Sequence, residues 1–576
     1  HQGDDRLFEL RPESATEAVR RLVEDYNIRI KLLVAEVERQ LGPGRVKEAN
    51  DVYLYKDNLP NQIGDMSRRV RQRLREYISN IIKDDLSVDE VDKFLLALHA
   101  RERNDRMNAQ RAEAGKKPVD GLSGMTYKEA EDYLSSLDKD PARKEKLWKY
   151  NRVIQAMNED MLNLQVEAGL LTASDAKMFR ERYRHYVPLQ RDVDDEMYGH
   201  GGVGGINVAG PEFLKAVGSQ KQVLSITGNV FAQGERVGAR ILRNQAAQSL
   251  LGLVQENPEL SSIFEVVRFD RPLEESESGE LVPVHPENPR INEMGGPLSV
   301  KGRVFMFPSE VDAPQVVEET DMADKLDERS GYNITDIYKD RKELRPEWVG
   351  VKVNGHQYYI RISDEGLRNA FKNIHVVKVP EAVRHLRLTM NILSSLITRY
   401  NPEFVVSNFM RDFGEAVINM QEIVEKEGFD LREFTGSVVK GIPTSMGTIW
   451  KSFDGGKGIL SFGRAGVLDP ALDKFLQYGS ATGHYWMEDV REFHDLVHEM
   501  EREIRNIGTD KAKNALRWGA RFVDDYNTMV ELGVRFSLFK ELVARGMSER
   551  KAAAYASDLT INFSRQGEWS PVAKLF

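Results

Sequence analysis

Apolar residues recur at helical spacing over most of the chain. Val19, Leu22, Val23, Tyr26, Ile30, Leu33, Val34 and Val37 step by three or four and predict a helical stretch over 12–41. Ser14 reads as its N-cap, Glu17 as the capping-box partner, and Gly42-Pro43-Gly44 as the stop. A second long helix is expected from Met66 to Ile82, on Met66, Val70, Leu74, Tyr77, Ile78 and Ile81. Ser87–Glu90 and Thr126–Glu129 are further capping boxes, each leading into a helix. Residues 141–168 set Trp148, Ile154, Met157, Met161 and Leu164 on one face, and an amphipathic helix is expected over 229–256.

The pattern changes twice. Near 192 the chain turns acidic and then glycine-rich, which reads as a loop or hinge. From about 262 to 362, short β-branched and aromatic runs at 263–269, 303–308, 348–353 and 357–362 predict strands, and Asn354-Gly355 signals a type I′ hairpin. Helical spacing returns after Asp364. Val383, Leu386, Met390, Leu393 and Ile397 run up to Tyr400-Asn401-Pro402, and Phe404, Phe409, Phe413 and Val417 continue beyond it as a helix–Pro–helix corner. The glycine-bearing stretch 436–470 reads as irregular, with GIPTSMG and FDGGKG as turn signals. Three last helices are expected near 487–506, 511–544 and 548–562.

The fold class is therefore mainly α: multi-helix domains with one small inserted antiparallel β module. The expected division is 1–192, an N-terminal helical domain; 193–258, a glycine-rich hinge plus helix; 259–363, the β module; and 364–576, a C-terminal helical domain.

Composition narrows the function classes. At 576 residues, 41% hydrophobic and 30% charged, the chain is that of an ordinary globular protein with ample core. A formal net charge of −10 argues against nonspecific nucleic-acid binding by the whole chain. The sequence contains no cysteine, which excludes disulfides, thiolate catalysis and cysteine-ligated metal sites within it. No apolar run approaches the roughly 18 residues of a membrane-spanning helix. The two ends read as those of a fragment of something longer.

Candidate chemistry is sparse. Gly199-His-Gly201-Gly-Val-Gly204 has the spacing of a dinucleotide fingerprint, but the acidic run before it is no strand, so a linker is the better reading. His494 and His498 lie four apart on an expected helix, the spacing at which two imidazoles share a metal, with Glu501 near the same face. The second position of that motif is Asp495, where the metalloprotease pattern needs glutamate, and two surface or interface histidines on an amphipathic helix are the plainer reading. Arg68, Arg71 and Arg75, among five arginines between 68 and 75, could meet phosphates, although a solvated helix face explains them more simply. His99, His185, His375 and His385 stand alone among apolar or basic neighbours and read as structural histidines. No cofactor is called for.

Several segments in order resemble a known lineage. ALHARERNDRM (97–107), LSGMT (122–126) and FRERYRHYVPLQRD (179–192) resemble segments of very large multidomain proteins of phages and prophages. RYNPEFVVSNFMRDF (399–413) and ELVARGMSERKAAAYASDLTINFSRQGEW (541–569) resemble the associated domain of those large polyvalent proteins. The resemblance implies a protein packaged in the virion and delivered with the genome into the host cytoplasm. It carries no catalytic residues over. Asn401, Arg411, Asp412, Asn562 and Arg565 match its pattern and read as a polar network that specifies the fold.

The resulting expectation is a non-catalytic structural and packaging module. Its partners would be other virion proteins or the rest of its own polyprotein-like chain, with packaged DNA as a further partner. The alternatives are a hydrolase or nucleic-acid-modifying enzyme whose site is assembled from distant segments, and a DNA-binding module using the arginines.

Overall fold

The computed structural model describes residues 8–23, 25–113, 115–182, 184–189, 205–209, 223–268, 273–275, 281–283, 338–340, 343–372, 416, 418–452, 469–481, 490–506 and 511–559. These residues are mostly helical, with fifteen α-helices and one three-stranded antiparallel sheet. The mainly α fold with a small β module is thus what the chain adopts.

The first expected helix is two: α1 (Ala15–Val23) and α2 (Ile28–Leu41). The Ser14–Glu17 box forms, each side chain accepting the other residue's backbone N–H. The apolar stripe runs straight through 23–28, so nothing in the periodicity marks the break. It is made by polar bonds: Asp25 accepts the Asn27 N–H at 2.8 Å and the Tyr53 hydroxyl at 3.0 Å.

The larger correction concerns α3, which runs over Val52–Lys83 and so begins fourteen residues before Met66. Its first half, VYLYKDNLPNQIGD, carries Pro60 and no amphipathic stripe, which hid it from the periodicity. It is buried on nearly all sides, and Lys56, Asp57, Asn58, Asn61, Gln62, Asp65 and Ser67 are all inside. Asp51 caps it by accepting the Leu54 N–H at 3.0 Å. The helices α4 (Val88–Glu113), α5 (Tyr127–Ser136), α6 (Pro141–Glu167) and α7 (Ala173–Arg182) follow. The expected Thr126 box opens α5, whereas at α4 only the Ser87 half of the box forms, its hydroxyl accepting the Glu90 N–H while the Glu90 carboxylate pairs with Arg143.

The helix α8 (Ile226–Glu256) packs along α3 and underlies the sheet. Strands β1 (Phe264–Arg268), β6 (Trp348–Val353) and β7 (His356–Ile362) pair in the order β1-β7-β6. Two-stranded pairs are formed by β2 (Leu273–Glu275) with β3 (Leu281–Pro283) and by β4 (Tyr338–Asp340) with β5 (Glu343–Leu344). Asn354 and Gly355 sit at φ 49° and 80°, the two positive values that a type I′ hairpin needs. The outer edge of β6 is covered by 205–209: Val208 N–H donates to Gly350 O at 2.8 Å, and Asn207 Oδ1 accepts the Gly350 N–H at 2.8 Å. Any side chain at Gly350 would meet Val208 O at 2.7 Å. On the other side, the Asn244 and Gln248 amides of α8 both donate to Lys352 O, each at 2.8 Å.

The remaining helices are α9 (Glu365–Lys372), α10 (418–427), α11 (Leu431–Ser452), α12 (Pro470–Gln477), α13 (Val490–Arg505), α14 (Lys511–Ala544) and α15 (Glu549–Asp558). Of the stretch 436–470 expected to be irregular, 436–452 is instead the body of α11, and 453–468, with the FDGGKG turn signal, lies outside the described residues. Its GIPTSMG glycine Gly441 is a packing position, because a Cβ there would overlap the Ser537 hydroxyl of α14; Gly533 on α14 has the same relation to Met446. Glycine read as a turn signal is here a means of bringing two helices close.

The described residues form separate apolar cores. One lies between α2, α3, α8, the sheet and α9; a second joins the far half of α3 to α4, α6, the start of α8 and α13. A third is built only from residues between 416 and 559, on α10, α11, α12, α14 and α15. Among the described residues, no helix is long and apolar enough to cross a membrane. The strand expected at 303–308, the glycine run at 199–204, the corner at Asn401-Pro402, and His375 and His385 lie outside the described residues.

Candidate functional site

The helix α13 brings the histidine pair to a junction. Phe493 and Val497 are fully buried in the core that α3, α4 and α8 share, which fixes the face that α13 presents to them. His494 Nδ1 then accepts the Ser225 N–H at 3.1 Å, just before the first turn of α8. The Ser225 hydroxyl donates to Asp92 Oδ2 on α4 at 2.7 Å and accepts the Gly228 N–H at 3.1 Å. Thr227 donates to Asp92 Oδ1 twice, through its N–H at 2.9 Å and its hydroxyl at 2.6 Å. Burial raises the Asp92 carboxyl pKa, with the Thr227 and Ser225 bonds opposing that shift.

Serine, histidine and aspartate therefore meet, but their wiring is not that of an activated nucleophile. A hydrolytic serine gives its proton to an imidazole that a carboxylate orients. Here the serine hydroxyl gives its proton to the aspartate, and the imidazole receives a backbone N–H. The set caps α8 and joins it to α4 and α13.

The neighbouring ring, His498, stands edge-on to His494 with centroids 4.5 Å apart. Glu501, weighed as a third ligand, turns its Oε1 to the Arg505 guanidinium at 2.8 Å and to the N–H of Val88 at the start of α4. Among the described residues, no group of three or more histidine, aspartate or glutamate side chains could hold a metal ion.

Three of the five α3 arginines, Arg68, Arg69 and Arg75, are engaged in ion pairs. Arg68 pairs with Asp65, and Arg69 bridges Asp65 and Asp473 of α12, each at 2.6 Å. Arg75 reaches Glu503 of α13 at 3.1 Å. Arg71 is half-buried, and Arg73 is exposed. Arg68, Arg71 and Arg75 thus do not form one open basic face, and the expected solvated face is in part a docking face for α12 and α13. Asn401, Arg411, Asp412, Asn562 and Arg565, the expected polar network, lie outside the described residues.

Sequence reasoning missed the polar interior of α3. Lys56 is fully buried, its Nζ 3.2 Å from the Tyr26 hydroxyl and 4.9 Å from that ring's centre. Burial pulls its pKa down to about 7, against the carboxylates of Asp57 and Asp25. The histidine of α4, His99, is 1% exposed and edge-on to Tyr186, and burial lowers its pKa to about 3. The signal for the first of these was the polar run KDNLPNQ between two apolar stretches, which periodicity alone reads as a loop.

The fold and this junction define a mainly helical protein whose ionisable groups largely tie one element to another. No protein-family model, curated protein or solved structure matches the chain.

Proposed function

We propose that this chain is a non-catalytic structural and packaging module of a large phage-encoded protein, carried in the virion and delivered to the host with the genome. The observation that carries the non-catalytic part is the wiring at the start of α8, where His494, Ser225 and Asp92 bind one another's fold-forming groups. The setting rests on the resemblance of 399–413 and 541–569 to the associated domain of large polyvalent proteins. Its partners in this reading are other virion proteins or the rest of its own chain, with packaged DNA as a further partner. It resides in the particle and then in the host cytoplasm.

Mass spectrometry of purified, nuclease-treated particles from the encoding phage tests the setting: peptides from this chain are expected inside them, and their absence overturns it. Assays of the purified chain on nucleotide, peptide and glycosidic substrates test the chemistry. No turnover is expected. Hydrolysis that disappears on substitution within the chain would establish the enzyme reading instead.

A further inference from the structure

The apolar cores divide the described chain into two bodies, and the contact between them is of another kind. The core of 416–559 shares no residue with the cores that contain α3. Where α12 and α15 meet α3, the named contacts are polar. Arg69 pairs with Asp473, and the Ser557 hydroxyl donates to Asn58 Oδ1 at 3.2 Å. The Arg550 guanidinium of α15 stacks on Tyr55 of α3, 4.1 Å from the ring centre, and on Tyr478, at 5.0 Å. Lys426 and Lys551 face Asp51, drawing its carboxyl pKa down against the larger upward push of burial. Gly479, at φ 81°, sits directly over Asn58 and Asn61, where a Cβ would lie 3.0 Å from Asn61 Cβ.

One contact is unfavourable. Asn61 is 2% exposed, and neither its amide nitrogen nor its amide oxygen has a hydrogen-bond partner. An unpaired buried amide penalises the docked arrangement and is relieved when the seam opens to water. Opening there exposes polar side chains at little cost, whereas drawing α13 out would expose Phe493 and Val497.

We propose that the bundle of α10, α11, α12, α14 and α15 is a detachable body that lifts off α3 along this seam, while α13 stays seated in the other body as its tether. The inference is independent of where the protein resides. The Arg69–Asp473 pair and the Arg550 stack on Tyr55 are electrostatic contacts, so screening weakens the seam before it weakens either core.

The absence of cysteine makes site-specific spin labelling of the full chain direct. Labels at E131C on α5 and K440C on α11 report the separation of the bodies, and labels at E425C and K440C report the interior of the bundle. Raising salt from about 0.1 M to 1 M shortens the screening length from about 10 Å to about 3 Å. The expected result is a second, longer 131–440 distance that gains population with salt and dominates in Asp473→Ala/Arg550→Ala, with the 425–440 distance and the helical circular dichroism unchanged. A 131–440 distance that salt leaves unaltered in the parent protein overturns the proposal. So does one that lengthens only together with the 425–440 distance or with loss of helicity.

Discussion

The two bodies solve the packing of long helices in opposite ways. In the N-terminal body, α3 and α8 are buried on most sides and bring polar groups with them: Lys56, Asn58, Asp65, Glu235 and Asn244 are each under 9% exposed. In the C-terminal bundle, α11 and α14 approach closely at Gly441 and Gly533, over a core of Phe434, Phe475, Phe536 and Phe539. The bundle is thus held mainly by apolar packing, with the buried Arg535 guanidinium on Ser480 O at 3.3 Å as a polar exception, whereas the N-terminal body buries polar side chains along much of α3 and α8. Polar pairing confers specificity because a missing partner is costly, while apolar packing is more tolerant of rearrangement.

The largest effect expected from this contrast is in the bundle. Phe475→Ala, at a fully buried ring, should cost about 3–5 kcal/mol. Hydrogen exchange should show faster opening across α11, α12 and α14 with α3 and α8 little changed. Equal acceleration in both bodies would show that they unfold as one unit.

Next in size is Asp92→Ala, which strips partners from both Ser225 and Thr227 and should cost about 2–3 kcal/mol. Denaturant titration read at α4 and α8 checks it, and a loss under 0.5 kcal/mol would make the junction incidental.

Lys56 gives an effect of opposite sign. Its folded-state pKa of about 7 lies below the ordinary 10.5, so the unfolded chain binds more protons between those values. Its contribution to stability therefore rises with pH from about 7 to 10.5, and the penalty of a buried charge is greatest below 7. Lys56→Met should stabilise the protein by about 1–3 kcal/mol at pH 6 and flatten the rise toward pH 10. Urea midpoints at the two pH values measure both; a destabilised variant would mean that the ammonium's bond to Tyr26 outweighs its burial.

The smallest effect near neutral pH comes from His99. With a folded-state pKa of about 3 against 6.5, it takes up a proton more readily when unfolded, so stability falls as pH drops from 6.5 toward 3. His99→Gln should remove about 1 kcal/mol per pH unit of that slope. Acid titrations of the two proteins, compared directly, decide it.

The β hairpin and, within the bundle, α14 and α15 were legible in the chain, because Asn354-Gly355 and apolar spacing act locally; α11 falls where an irregular stretch is expected, and α12 has no counterpart among the expected helices. The first half of α3 was not legible either. Its helix is specified by neighbours that bury polar side chains on every side, and a window of sequence carries no record of those neighbours. Gly441 misled for a related reason: close helix contact and a turn both select glycine. His494 and His498 were correctly placed on a helix, but the partner of His494 is a backbone N–H 269 residues away, a distance no local motif encodes.

The most direct test of the account is whether His494 acts as a bolt between α13 and α8. Amide exchange at Ser225 in His494→Ala, compared with the parent protein, reads that bond alone. Ser225 is expected to lose protection in His494→Ala. Unchanged protection at Ser225 would contradict it.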